Sequence, residues 1–245
     1  MSVATPADPR NVVRGFDTLP YFVAVGLGIL FGTYVGVPWL VARGVPLLFT
    51  FTGALYLPIV AVFSASLVAY RRNGETWAWP DFRDRFRLRW PARREWGIFL
   101  AVAIGVLALE ALLEPVGQWL ATTVPLPLPA VMPPLVDPFA PIAFPPTTFM
   151  GTPLAGNVWV VPFWSAALVA NIVGEELLWR GYVLPRQEAA FGRRAWLVNG
   201  LLWAFVVHAF MWWNVVSLLP TSLLTPYLAQ RFETTWAGIV VHGLG

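Results

Sequence analysis

The chain has 245 residues, 58% of them apolar and 12% charged, with a mean hydropathy of +0.65. Soluble domains carry about 25% charged residues, so water is not the main solvent here, and the long apolar runs exclude a membrane β-barrel of short alternating strands. The chain has no cysteine, which excludes disulfides, thiolate metal sites and cysteine nucleophiles.

In chain order, residues 1 to 18 are polar, and the apolar run after them is long enough to remain as a span, so no cleavable signal is expected. Residues 20 to 42 form the first expected span and residues 45 to 70 the second, joined by a tight turn. Residues 71 to 95 hold 8 of the 16 arginines, interleaved with Trp and Phe, a mixture that suits the headgroup layer of a membrane. The basic balance is therefore read as membrane orientation, with membrane lipid as a partner and no nucleic acid.

Residues 96 to 120 make the third expected span, with Glu110 and Glu114 one turn apart near its far end and read as interfacial. Residues 121 to 156 contain ten prolines and one charge, Asp137, and are expected to form a proline-stiffened loop or lid. Spans are then expected over 158–174, 195–213 and 215–229, the last interrupted by Pro220 and Pro226. A final run from Thr234 to Gly245 covers only about 18 Å as a helix, so the sequence is expected to end inside its last helix.

The expected fold class is an all-α, polytopic transmembrane bundle of about seven helices. Residues 1–156 supply the N-terminal helices with the basic loop 71–95 and the proline-rich loop 121–156; residues 157–245 form the functional core, the whole being one integral domain. The arginines place the N-terminus and the 71–95 loop in the cytoplasm. The all-arginine, Trp- and Pro-rich usage points to a prokaryotic plasma membrane, and nothing in the sequence bears on oligomeric state.

An ionisable group at membrane depth costs roughly 2.5–3.5 kcal/mol on insertion scales, so each one is a functional candidate. Three places qualify: "GEELLWR", with Glu175, Glu176 and Arg180; His208; and His242. On a helix Glu176 and Arg180 are i and i+4 and share a face, whereas Glu175 is rotated by about 100°. One carboxylate is then neutralised by the arginine while its neighbour handles protons as a general base. The bland alternatives are a buried ion pair that fixes helix packing and two histidines bonded to neighbouring helices. One carboxylate and two imidazoles on three helices are nevertheless able to converge on a single water.

In that order the motifs resemble the CPBP family of intramembrane proteases, which includes type II CAAX prenyl endopeptidases and bacteriocin-processing or abortive-infection proteins. Its EExxxR motif matches Glu175, Glu176 and Arg180. Its FxxxH motif matches at His208, with Ala204 in place of Phe and Trp203 and Phe205 on either side. Its third motif begins at His242, with its fourth-following position at 246, past the end of this sequence. The resemblance covers residues 157 to 245 and implies a glutamate-dependent endopeptidase: Glu175 activates a water held by His208, His242 stabilises the oxyanion, and Arg180 pairs with Glu176. It implies a hydrophobic or lipidated peptide substrate, with Trp179, Trp203, Phe205 and Trp212 shaping an apolar access. No cofactor is favoured; zinc on Glu175, His208 and His242 is the alternative, since these are acceptable zinc ligands, although HExxH is absent. Two other classes compete: a non-catalytic scaffold or self-immunity protein of the same fold, and a proton-coupled transporter, the latter disfavoured because no repeat is visible.

Overall fold

The computed structural model describes residues 15–140 and 146–244. The expected extents of residues 1–14 and 141–145 lie outside the described residues. The molecule is an all-helical membrane bundle. Helix α1 (Leu19–Val41) bends through a wide π-helical turn at Gly32–Gly36 and returns as α2 (Leu47–Arg72). A short α3 (Trp79–Arg85) lies in the arginine-rich connection, and α4 (Arg93–Thr123) follows. After the proline-rich loop and a two-residue hairpin (Thr148–Phe149 with Thr152–Pro153) come α5 (Val160–Glu176), the short α6 (Leu184–Phe191), α7 (Ala195–Leu202), α8 (Val215–Phe232) and α9 (Trp236–Leu244). Setting aside the short α3 and α6, seven helices make the bundle among the described residues.

Among the described residues four helical runs are long and apolar enough to cross a membrane: Leu19–Val41, Leu47–Arg72, Arg93–Thr123 and Val160–Val207. Their outward faces are apolar because lipid, not water, is their surround. Two cores hold the bundle. One joins α1, α2 and the α5 region through Phe22, Phe51, Trp179 and Trp203; the other joins α4, α8 and α9 through Phe99, Ala103, Leu228 and Val241.

Three expected boundaries need correction. The fourth span does not stop at Gly174; it runs through Glu176 into a π-helical stretch, Leu177–Val183, and on into α6. Pro185 lacks a backbone N–H and its ring crowds the carbonyl four residues back; widening the preceding turn relieves both without ending the helix. The chain instead ends this run at Gly192, where φ is +54°.

The fifth span is likewise not one helix to residue 213. Helix α7 stops at Leu202, a π-helical turn spans Trp203–Val207, and a tight 3-10 stretch follows over Ala209–Asn214. His208 sits at the break, with φ −93° and ψ 16°.

Nor do Pro220 and Pro226 interrupt α8, which is continuous to Phe232. The carbonyl freed by Pro226 belongs to Ser222, which packs against Gly200 of α7; a Cβ on Gly200 would lie 3.1 Å from the Ser222 carbonyl carbon. Small residues let helices approach this closely in lipid.

Candidate active site

The π-helical continuation of α5 sets the register of the first motif. Glu176 Oε1 accepts a hydrogen bond from Arg180 Nη1 at 2.8 Å, and both side chains are fully buried. His242 enters from α9, its Nδ1 lying 2.9 Å from the same Glu176 oxygen. Helix α9 approaches because residue 238 is glycine: a Cβ there would lie 2.7 Å from Glu176 Cδ and 3.2 Å from Thr225 Cγ2. A side chain at 238 would drive the helix away from the carboxylate.

Glu175 faces a different set of partners. Its Oε1 accepts from Asn171 Nδ2 at 2.9 Å, and its Oε2 accepts from Trp179 Nε1 at 3.2 Å and Trp203 Nε1 at 3.0 Å. Asn171, Glu175 and Trp179 are spaced four apart, so one helix face supplies two of these donors. The third comes from across the bundle. A carboxylate offers about four lone-pair positions. Three are taken, which leaves one on Oε1 for a water or a substrate proton.

Trp203 is the hub. Its N–H holds Glu175, its ring lies edge-on to His208 at 4.2 Å and to His242 at 5.1 Å between centroids, and the Arg180 guanidinium carbon lies 5.0 Å from the ring centre. One indole therefore contacts Glu175, Arg180, His208 and His242, four of the five motif residues. Each imidazole is fixed through Nδ1. His208 Nδ1 is 3.1 Å from the Trp203 carbonyl, an acceptor only, so Nδ1 carries the proton and Nε2 is the free lone pair. His242 Nδ1–H is set in the same way by the Glu176 carboxylate.

Zinc would need the same three residues as ligands. Glu175 Oε2 is already taken by two indole N–H groups, and among the described residues no group of three or more His, Asp or Glu side chains is placed to hold a metal ion. The donor set does not fit, and no step below is routed through a metal.

Beside His208 opens an apolar cavity of about 790 Å³, walled by α1 (Leu30, Tyr34), by Ala204, Phe205 and Trp212, and by the start of the proline-rich loop. The loop is tied down here, since the Pro127 carbonyl accepts from both Tyr34 Oη at 2.9 Å and Trp212 Nε1 at 3.1 Å. Of the four aromatics expected to shape an access, Phe205 and Trp212 line this cavity, while Trp179 and Trp203 are buried in the charged centre.

Residues 157–245 match the family model described as type II CAAX prenyl endopeptidase Rce1-like. Over this segment the chain is similar to the CPBP family. No curated protein and no solved structure matches the chain. The matched residues begin just before α5 and contain all five motif residues, Glu175, Glu176, Arg180, His208 and His242. The chain is thus an integral membrane protein with a CAAX-protease-type core.

Asn171 was not read as a functional residue from the sequence, and Trp179 and Trp203 were read as shaping an access, not as donors to Glu175. The four-residue spacing of Asn171 and Trp179 about Glu175 was a usable signal for that role. Trp203, 28 positions away on another helix, carried none for it.

Proposed function

We propose that this protein is an intramembrane endopeptidase that hydrolyses a peptide bond in a hydrophobic or lipidated, membrane-associated protein or peptide. The observation that carries this reading is a buried carboxylate, Glu175, held by three N–H donors around an indole that also contacts both intramembrane histidines. A merely structural carboxylate in lipid needs one counter-charge, which Glu176 already has in Arg180.

Glu175 takes a proton from a water bound at its open Oε1 position while the water oxygen attacks the scissile carbonyl carbon. The Nε2 lone pair of His208 accepts the water's other O–H and aims it. The electron pair of the carbonyl π bond moves onto oxygen, and His242 donates from a protonated Nε2 to that oxyanion, with Glu176 as its counter-ion at Nδ1. Collapse of the tetrahedral intermediate breaks the C–N bond, and the proton on Glu175 passes to the leaving amine. Glu176 and Arg180 fix the register of both helices. The apolar cavity beside His208 suits an apolar substrate portion.

The test is cleavage of a hydrophobic or lipidated peptide by the purified full chain in proteoliposomes. Glu175→Ala, His208→Ala and His242→Ala are each expected to lower kcat by about 10²–10⁴-fold while the protein remains folded. Full activity in all three variants would leave a non-catalytic member of the fold.

A further inference from the structure

Outside the diacid site, residues 79 to 95 carry six arginines against three carboxylates. Helix α3 and the chain after it wall a cavity of about 700 Å³, lined by the indoles of Trp79, Trp90 and Trp236 and by the guanidiniums of Arg83 and Arg89, with Asp84 at its edge. Trp79 and Trp90 are 60% and 68% exposed. Helix α4, the most hydropathic of the four spanning runs, begins at Arg93 beside this cavity, and Arg93 and Arg94 are exposed on its first turn. The cavity therefore sits where apolar helix gives way to the headgroup layer. Tryptophan is at home at that depth.

The two lining arginines are held differently. Arg89 is fixed: it makes a two-pronged pair with Glu95, at 2.9 and 3.0 Å, and donates to the Phe232 carbonyl at 2.6 Å. Among the described residues Arg83 pairs only with its chain neighbour Asp84, and that pair is exposed. An exposed pair of this kind contributes little and exchanges readily. Arg83 is thus free to take a phosphate, whose oxygens match the guanidinium fork. The sheltered Nε1–H of Trp236 has no acceptor among the described residues.

The same wall grips α9. Thr235 N donates to the Arg87 carbonyl at 2.9 Å, Thr235 Oγ1 to the Phe86 carbonyl at 2.7 Å, and Thr234 Oγ1 to the Arg89 carbonyl at 2.9 Å. Trp236, the first residue of α9, packs edge-on against Trp90 at 5.2 Å. Gly238 and His242 lie on the turns that follow.

We propose that this cavity binds the headgroup of an anionic phospholipid, and that the bound headgroup braces the start of α9. A phosphodiester with net negative charge satisfies Arg83 beside the indole walls, whereas a zwitterionic lipid brings its own cation to the site. Bracing follows because the carbonyl of Arg89 in the wall, and those of Phe86 and Arg87 just before it, hold Thr234 and Thr235.

The full chain is reconstituted in nanodiscs of phosphatidylcholine alone or mixed with phosphatidylglycerol. Native mass spectrometry is expected to find phosphatidylglycerol retained in preference to phosphatidylcholine, with retention about fivefold lower in Arg83→Gln, one arginine's share of the attraction to an anionic lipid surface. Hydrogen exchange over residues 234–244 is expected to slow in the mixed discs for the wild type and not for Arg83→Gln. Trp79→Leu, which removes a wall and keeps every charge, is expected to weaken retention as well. Equal retention of both lipids, or retention unchanged in both variants, overturns the site; exchange that ignores the lipid overturns the bracing. Inorganic phosphate added to phosphatidylcholine discs is expected to leave exchange unchanged, and slowing by phosphate alone overturns the lipid as occupant. None of these readouts requires peptide cleavage, so they stand apart from the hydrolase reading.

Discussion

Two places in the bundle put a carboxylate inside an apolar helix, and they are built differently. Glu110, midway along α4, is half-buried and accepts a hydrogen bond from the hydroxyl of Thr221 on α8. Glu175 on α5 has three N–H donors from two helices, one of them an indole against which both imidazoles pack. Burying a carboxylate is costly in either place. Only the second surrounds it with groups fixed enough to aim a proton, so preorganised partners, not membrane depth, mark the chemical centre.

The largest effect that would break this contrast is expected at Arg180. Arg180→Met removes the guanidinium from a fully buried Glu176 and leaves its charge to His242 alone, a loss of about 3–5 kcal/mol as for a broken buried pair. Thermal unfolding in detergent should show it as a much lower midpoint, with activity lowered as the carboxylate that anchors His242 loses its own support. A midpoint near wild type would mean that Glu176 is not held as an ion pair.

Trp203→Phe comes next and sharpens the comparison, because it keeps an aromatic ring beside both histidines while deleting the N–H to Glu175 together with part of the buried bicyclic ring. A hydrogen bond to a charged group contributes about 1.5–3 kcal/mol, so kcat should fall by about 10- to 100-fold with KM little changed, and the smaller ring should lower the unfolding midpoint as well. A fall in stability without a fall in kcat would make Trp203 a packing residue.

These two positions also show what was legible in advance. The Glu176–Arg180 spacing of four residues announces a shared helix face, and the structure pairs them at 2.8 Å. The seven-helix bundle was legible for the same kind of reason, since apolar runs of spanning length have few alternatives. Trp203 was not, because its donor role needs the π-helical turn at 203–207 and the docking of α5 against it, neither of which follows from local pattern. The two prolines of α8 misled for a related reason. Pro is a breaker in an isolated helix, but Gly200 lets α7 pack on the carbonyl that Pro226 leaves free. The link from His242 to Glu176, rather than to Glu175, likewise needed the close approach at Gly238.

That approach supplies a third measurement. Gly238→Ala places a methyl against a carboxylate already held by Arg180 and His242, so Glu176 has little freedom to yield. Overpacking of this kind costs about 1–3 kcal/mol. The expected outcome is a modest drop in midpoint with a larger relative loss of activity, since moving α9 carries His242 away from Glu176. Equal activity at a lowered midpoint would separate His242 from the chemistry.

Glu110→Gln should do least. The amide oxygen of Gln still accepts from the Thr221 hydroxyl, and the substitution removes a charge from the bundle rather than stranding one. Stability is expected to rise or hold within about 0.5 kcal/mol, as for substitutions that leave no polar group unpaired, and cleavage should stay within about twofold. The measurement is made beside Glu175→Gln in the same proteoliposomes. If the α4 variant lost activity as steeply as the α5 variant, one hydroxyl partner would suffice to make an intramembrane carboxylate reactive. The indole and amide donors around Glu175 would then serve only to anchor it.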